Sequence, residues 1–210
     1  MTDAGPVARA AELAALGHHR PIPAADVDRL RRGLDDDDAR VRAAALGALV
    51  RAAPDDAAAT WDHARTDPAP AVRRRAAELT PALGTRVDVD RLLDLLDDPD
   101  VTVVEAAAWA TGELGERALA TDAVARLARA TREHRDALAR EAAVAALGAL
   151  GDRGALPAIL AACHDKPAVR RRAVLALAPF EGPDVDAALA SALDDRDWQV
   201  RQAAEDLRDG

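Results

Sequence analysis

The residues of this 210-residue chain best equipped for chemistry are five histidines, one cysteine and a dense set of carboxylates. None of His18, His19, His63, His134 and His164 forms a His-x-x-x-His or His-Glu-x-x-His pattern. Those are the spacings that set two metal ligands on one helical face. Cys163-His164-Asp165 supplies the residue types of a nucleophile, a base and an orienting carboxylate. Side chains of adjacent residues diverge, however, and a triad must converge. The run therefore reads as structural, with Cys163 on the apolar stripe of a helix. The acidic run DDDDAR, Asp35 to Arg40, offers oxygen ligands for Ca²⁺ or Mg²⁺. It lacks the alternating ligand positions, the mid-loop Gly and the terminal Glu of a calcium loop, and reads as a solvated turn. There is no P-loop, dinucleotide fingerprint or zinc spacing. No catalytic residue, metal or cofactor is assigned, and a non-enzyme is expected.

Composition narrows the class further. Net charge is -9, with 28 Asp against 9 Glu and 27 Arg against the single Lys166. Such an acidic, Lys-poor surface suits the salt-loaded cytoplasm of a halophilic archaeon. A GC-rich genome would also raise Ala, Arg, Asp and Gly, but would not favour Asp over Glu. Negative charge repels phosphate backbones, which argues against nucleic acid as a partner. At about 1 M salt the Debye length is roughly 3 Å, so recognition there rests on shape and apolar contact. With Cys163 alone, no intramolecular disulfide forms. No apolar run approaches roughly 18 residues, and MTDAGPVARAAELAALG has no basic stretch followed by an apolar one. No membrane partner and a cytoplasmic location are expected.

Elements able to position such residues emerge from internal repetition. Strings related to VRAAAL at Val41 recur at Val72, Val103, Ala139, Val169 and Val200, at intervals of 31, 31, 36, 30 and 31 residues. Each unit reads as two helices. In the third, Val89, Leu92, Leu93 and Leu96 mark a first helix closed by Asp97, Asp98 and Pro99, and a second runs from Val103 to about Leu114. Second helices elsewhere are expected to stop at Pro54, Gly84, Gly151 and Gly182. The 36-residue interval is assigned to ATREHRDALAR, as an enlarged turn or extra helical turn. Counted from each anchor, apolar residues at 0, +4, +7 or +8 and +11 form one stripe, as with Ala139, Ala143, Ala146, Leu147 and Leu150. Each thin hairpin needs its neighbours to bury that stripe.

The pattern D-P-x-x-x-V-R-x-x-A-A-x-A-L-G-x-L-G, clearest in DDPDVTVVEAAAWATGELG, AREAAVAALGALGD and DPAPAVRRRAAELTPALG, resembles the HEAT repeat. It is closest to the short HEAT-like kind named for phycobilisome lyases. The resemblance implies an all-α fold, an α-solenoid (α-α superhelix) of about six HEAT-like helical hairpins with an N-terminal capping helix. Residues 1–23 form the cap and linker. Residues 24–210 form the repeats, at about 24–54, 55–84, 86–115, 118–152, 153–182 and 183–210. It also implies that Asp36, Asp67, Asp98, Asp165 and Asp195, with Arg42, Arg73, Arg140, Arg170 and Arg201, form a structural ladder. Val104 in place of Arg in the third unit, and His134 or Asp136 in place of the Asp in the fourth, should interrupt it. HEAT-like deoxyhypusine hydroxylases hold iron through His-Glu pairs, and no His here precedes Glu.

The tryptophans separate by register. Trp61 falls on a first-helix core stripe, and Trp198 is expected to pack over a turn. Trp109 lies at +6, about 240° from its anchor and opposite the stripe. In HEAT solenoids the second helices line the concave surface, so Trp109, Ala145 and Leu175 should form an apolar strip there. Glu105, Glu113 and Glu141 border it, as do Arg171 and Arg172, with Arg74 and Arg75 one unit upstream. The expected function is a scaffold or adaptor that binds another protein's peptide or helix on this face. The alternative is a ligand-handling enzyme subunit resembling the bilin lyases. A DNA-binding HEAT-like protein of the alkylpurine-glycosylase sort would need a more basic face.

Overall fold

The computed structural model describes residues 5–19 and 21–209, and every regular element among them is helical. Of the expected N-terminal segment 1–23, residues 1–4 and Arg20 lie outside the described residues, as do Gly210 and the side chain of Asp209 in the last repeat. The helices pair into hairpins of the α-solenoid class. The chain divides into two units, Met1–Leu95 and Leu96–Gly210, with the division inside the span 86–115 expected for the third repeat.

The first unit contains α1 (Pro6–Leu16), α2 (Ala24–Gly33), α3 (Ala39–Ala52), α4 (Pro54–Ala64), α5 (Pro70–Leu83), a 3₁₀ turn over Gly84–Arg86 and α6 (Val89–Leu93). Helix α3 packs between α1 and α5 and rests on α2 and α4. The apolar stripe explains that arrangement. Val41, Ala45, Leu46, Ala48 and Leu49 are almost wholly buried, along with Leu30 of α2 and Leu83 of α5. Burying each such large aliphatic side chain stabilises by about 1.5–3 kcal/mol. Trp61 lies in the core, as its register required, and its indole N–H donates to the Ala76 carbonyl at 2.9 Å. Helix α1 packs on α3 as a second helix would.

The second unit holds α7 (Val101–Glu113), α8 (Glu116–Leu119), α9 (Ala123–Glu133), α10 (Ala137–Leu150), a 3₁₀ turn over Arg153–Ala155, α11 (Leu156–Ala162), α12 (Pro167–Ala176), α13 (Pro183–Leu193) and α14 (Trp198–Asp209). The succession α7, α10, α12, α14 packs each second helix on the next. Val174 of α12, Ala192 of α13 and Val200, Ala203 and Ala204 of α14 form one apolar cluster. Alanine and glycine at the seams let axes approach: a Cβ on Gly148 would sit 2.7 Å from Ala176 Cα. Gly151 ends α10 in the left-handed conformation, φ 63°, where a side chain would be strained.

Helix starts follow from short acidic side chains. Asp38, Asp100 and Asp136 accept the N–H two residues on, and Pro70 and Pro167 open α5 and α12 at positions where a missing N–H costs nothing. Two boundary expectations are corrected. The extra residues of the 36-residue interval form α8 ahead of α9, while only three residues join α9 to α10. Helix α12 stops at Ala176, well before Gly182, because Pro179 cannot continue it.

Candidate functional site

Where α7 meets α10, small side chains open a groove of about 460 Å³. Gly112 faces α10 so closely that a Cβ there would lie 3.3 Å from Ala146 Cα. Ala142, Ala145, Ala146 and Ala149 complete the floor, too short to fill the space above it. Trp109 and Leu138 stand as apolar walls, 49% and 53% exposed. Glu105, Glu113 and Glu141 line the groove with Arg172 of α12. Glu105, Trp109 and Glu113 sit at i, i+4 and i+8, so they follow one face of α7 at steps of about 6 Å.

The structure thus brings together Trp109, Ala145, Glu105, Glu113, Glu141 and Arg172. Leu175, 37% exposed on α12, is not among the lining residues. Arg172 Nη2 lies 3.4 Å and Arg171 Nη2 4.0 Å from Glu141 Oε1, so both guanidiniums are drawn to that carboxylate. Arg74 and Arg75 belong to the first unit, where they pair with Glu78 at 2.8 and 3.0 Å. Leu138 escaped the sequence reading because it precedes the anchor. Its signal was an apolar side chain in a helix's first turn, off the buried stripe.

The repeated Asp and Arg positions meet in fixed geometry. Arg42 grips Asp67 through two bonds of 2.8 and 2.7 Å, Arg140 grips Asp165 at 2.6 and 2.7 Å, and Arg170 grips Asp195 at 2.8 and 2.7 Å. A third nitrogen of each donates to a carbonyl of its own inter-helix turn, on Asp36, His134 and Asp165 respectively. Arg73 and Arg201 make that turn contact to Asp67 and Asp195. Asp98 accepts the N–H of Asp100. Asp36 is held by Arg9 of α1, a partner the sequence reading missed although Arg9 follows α1's start as Arg42 follows that of α3.

These contacts set the carboxylates' acidity. The guanidinium of Arg140 holds Asp165 below its ordinary pKa, as Arg170 does Asp195 and Arg9 does Asp36. At Asp67 burial pushes upward, but the bonds from Arg42 and the Ala69 N–H outweigh it and the pKa falls. At the α7–α10 seam Val104 is fully buried in the Arg position, and His134 Nδ1 accepts the Asp136 N–H in place of an Asp oxygen. The Arg and Asp positions of that seam thus hold Val104 and His134, whereas the α10–α12 seam has the Arg140–Asp165 ion pair.

Other expectations need revision. Trp198 does not pack over a turn: as the first residue of α14 it is 64% exposed. The DDDDAR run is more than a solvated turn, since Asp36 meets Arg9 and Asp38 caps α3. Cys163 sits just past α11, partly buried, and burial pushes its thiol up to about 11, against a nucleophilic role.

A family profile described as HEAT repeats matches residues 57–147 and again residues 124–208. The chain belongs to the HEAT-repeat family. Among solved HEAT-like structures, YibA of E. coli superposes with a TM-score of 0.67 at 17% identity, over 97% of this chain and 74% of that one. The CpcE–CpcF complex of phycocyanin lyase from Nostoc sp. PCC7120 superposes at 0.59 with 25% identity, over 85% of this chain and 74% of that one. An engineered protein matches at 0.60 and 19% identity, over 88% and 97%. No curated protein matches the sequence. No helix among the described residues is long and apolar enough to cross a membrane.

Proposed function

We propose that this HEAT-repeat chain is a non-catalytic scaffold or adaptor that receives a peptide or helix of another protein in the α7–α10 groove. The observation that carries this reading is Trp109, half exposed beside a floor of small side chains. A large aromatic left in water is costly, whereas in a lined groove it is a ready binding anchor. Glu105, Glu113 and Glu141 with Arg172 supply the polar rim, and Leu175 and Arg171 on α12 extend the surface. Ladder residues, by contrast, are consumed by contacts within the fold. The acidic, Asp-rich surface supports a cytoplasmic location in a salt-adapted cell, with neither nucleic acid nor membrane as partner.

A second reading, a ligand-handling subunit of an enzyme, is favoured by the likeness to the phycocyanin lyase complex. Retention of added bilin, seen as a visible absorbance band, would support it. The scaffold reading is tested by measuring affinity for a bound segment with Trp109→Ala. Loss of an anchor of this kind should weaken binding by about 30-fold, or 2 kcal/mol. Unchanged affinity in a folded variant ends the reading.

A further inference from the structure

We infer that the segment taken by this groove is cationic, and that one of its Arg or Lys side chains lies over Trp109 between Glu105 and Glu113. This rests on the groove being the binding site and adds the chemistry of what it selects.

Three observations converge. First, Trp109 and Trp61 differ in their surroundings. Arg65 lies 6.0 Å from the Trp61 ring centroid, whereas no cation among the described residues covers Trp109, half of whose surface is open. Second, Glu105 and Glu113 flank Trp109 one helical turn to either side, both exposed and neither in an ion pair among the described residues. Elsewhere carboxylates of this protein find guanidiniums readily: Asp97 meets Arg129 at 2.8 Å, and Asp62 meets Arg65 at 3.0 Å. Third, the cations nearest the groove are occupied, since Arg171 and Arg172 converge on Glu141. Carboxylates outnumber guanidiniums along the lining, so the local potential is negative.

An indole face attracts a cation through its quadrupole, and a carboxylate on each side adds charge-assisted hydrogen bonds. A guanidinium suits both, being planar and weakly hydrated, with donors in a fork. Its aliphatic stem would lie along Ala142 and Ala145, and neighbouring apolar residues of the same segment would reach Leu138. An amphipathic helix with basic residues two turns apart would present charge to Glu105 and Glu113 in register. An acidic or neutral segment gains only the apolar part of this.

The test is selection from a displayed library of random 16-residue peptides on the full chain, on Trp109→Ala, and on Glu105→Arg/Glu113→Arg. Peptides enriched on the native chain should carry net positive charge with interspersed apolar residues. Replacing the enriched peptide's central Arg by Gln should weaken binding roughly 3–30-fold, and more in 0.05 M than in 1 M salt. The charge-reversed variant should shift enrichment towards acidic peptides. Enriched peptides that need Trp109 but carry no excess of Arg or Lys overturn the cationic inference and leave the groove standing. Peptides that bind Trp109→Ala as well as the native chain overturn the groove itself, as does a selection that enriches nothing.

Discussion

Replacing Arg42 by Ala isolates one rung of the ladder and gives the sharpest energetic prediction. Asp67 is 6% exposed and receives two bonds from Arg42, at 2.8 and 2.7 Å, besides the Ala69 N–H. Arg42 also donates to the Asp36 carbonyl at 2.9 Å. Removing the guanidinium leaves a buried carboxylate uncompensated, which costs about 3–5 kcal/mol for a fully buried pair. Since Asp67 keeps the Ala69 N–H and water can reach the vacated space, about 2–4 kcal/mol is expected. An exposed pair would contribute only about 0.2–1 kcal/mol.

The pH dependence follows from the same geometry. Asp67 in the native fold has a pKa below its ordinary 3.8, so its contribution is full above that value and fades as pH falls through the lower, folded one. Without Arg42 the burial of Asp67 is opposed mainly by the Ala69 N–H, so its folded pKa rises and acid relieves the variant. The stability gap should therefore be widest near pH 7 and narrow below pH 4. Urea unfolding followed by circular dichroism and by the fluorescence of buried Trp61, at pH 7 and pH 3.5, measures both. A gap under about 1 kcal/mol at neutral pH, or one that does not change with acid, refutes the claim that the rung is structural.

Three further outcomes are expected. Gly148→Ala should destabilise the α10–α12 seam, because the added Cβ would fall 2.7 Å from backbone Cα of Ala176; a melting temperature equal to the parent's would contradict that close approach. At pH 8 Cys163 should alkylate with iodoacetamide about 100-fold more slowly than an unperturbed thiol, since its pKa stands near 11 against an ordinary 9.0. A double-mutant cycle on Arg140 and Asp165 should yield coupling above about 1 kcal/mol, whereas a Val104 and His134 cycle should yield close to none; comparable couplings would show that the seam beside the groove is tied as firmly as its neighbour.

Much of the fold was legible because repetition multiplies a weak signal. One VRxxA string says little, but six related strings, four of them VRxxA, at near-equal spacing fix the hairpin and the buried stripe together. The register of Trp61 and Trp109 followed from that count, one inward and one outward. What escaped were features outside the consensus. The interval of 36 residues says that something is inserted and not where, and α8 proved to be its place. Trp198 was misjudged because a first-turn residue projects beyond the seam that the stripe defines. Arg9 was missed because α1 precedes the first full unit, so no interval reached back to it. The groove needed coordinates: its volume arises from side chains that are absent, Gly112 and a row of alanines, and a sequence does not show how close two helices come.

Binding of a segment in the α7–α10 groove is measured most directly with 5-fluorotryptophan in place of Trp61, Trp109 and Trp198, followed by ¹⁹F NMR. On addition of a selected peptide the Trp109 resonance, assigned by its loss in Trp109→Phe, should shift while those of Trp61 and Trp198 stay in place. A shift confined to Trp198, or none at Trp109 under saturating peptide, would contradict it.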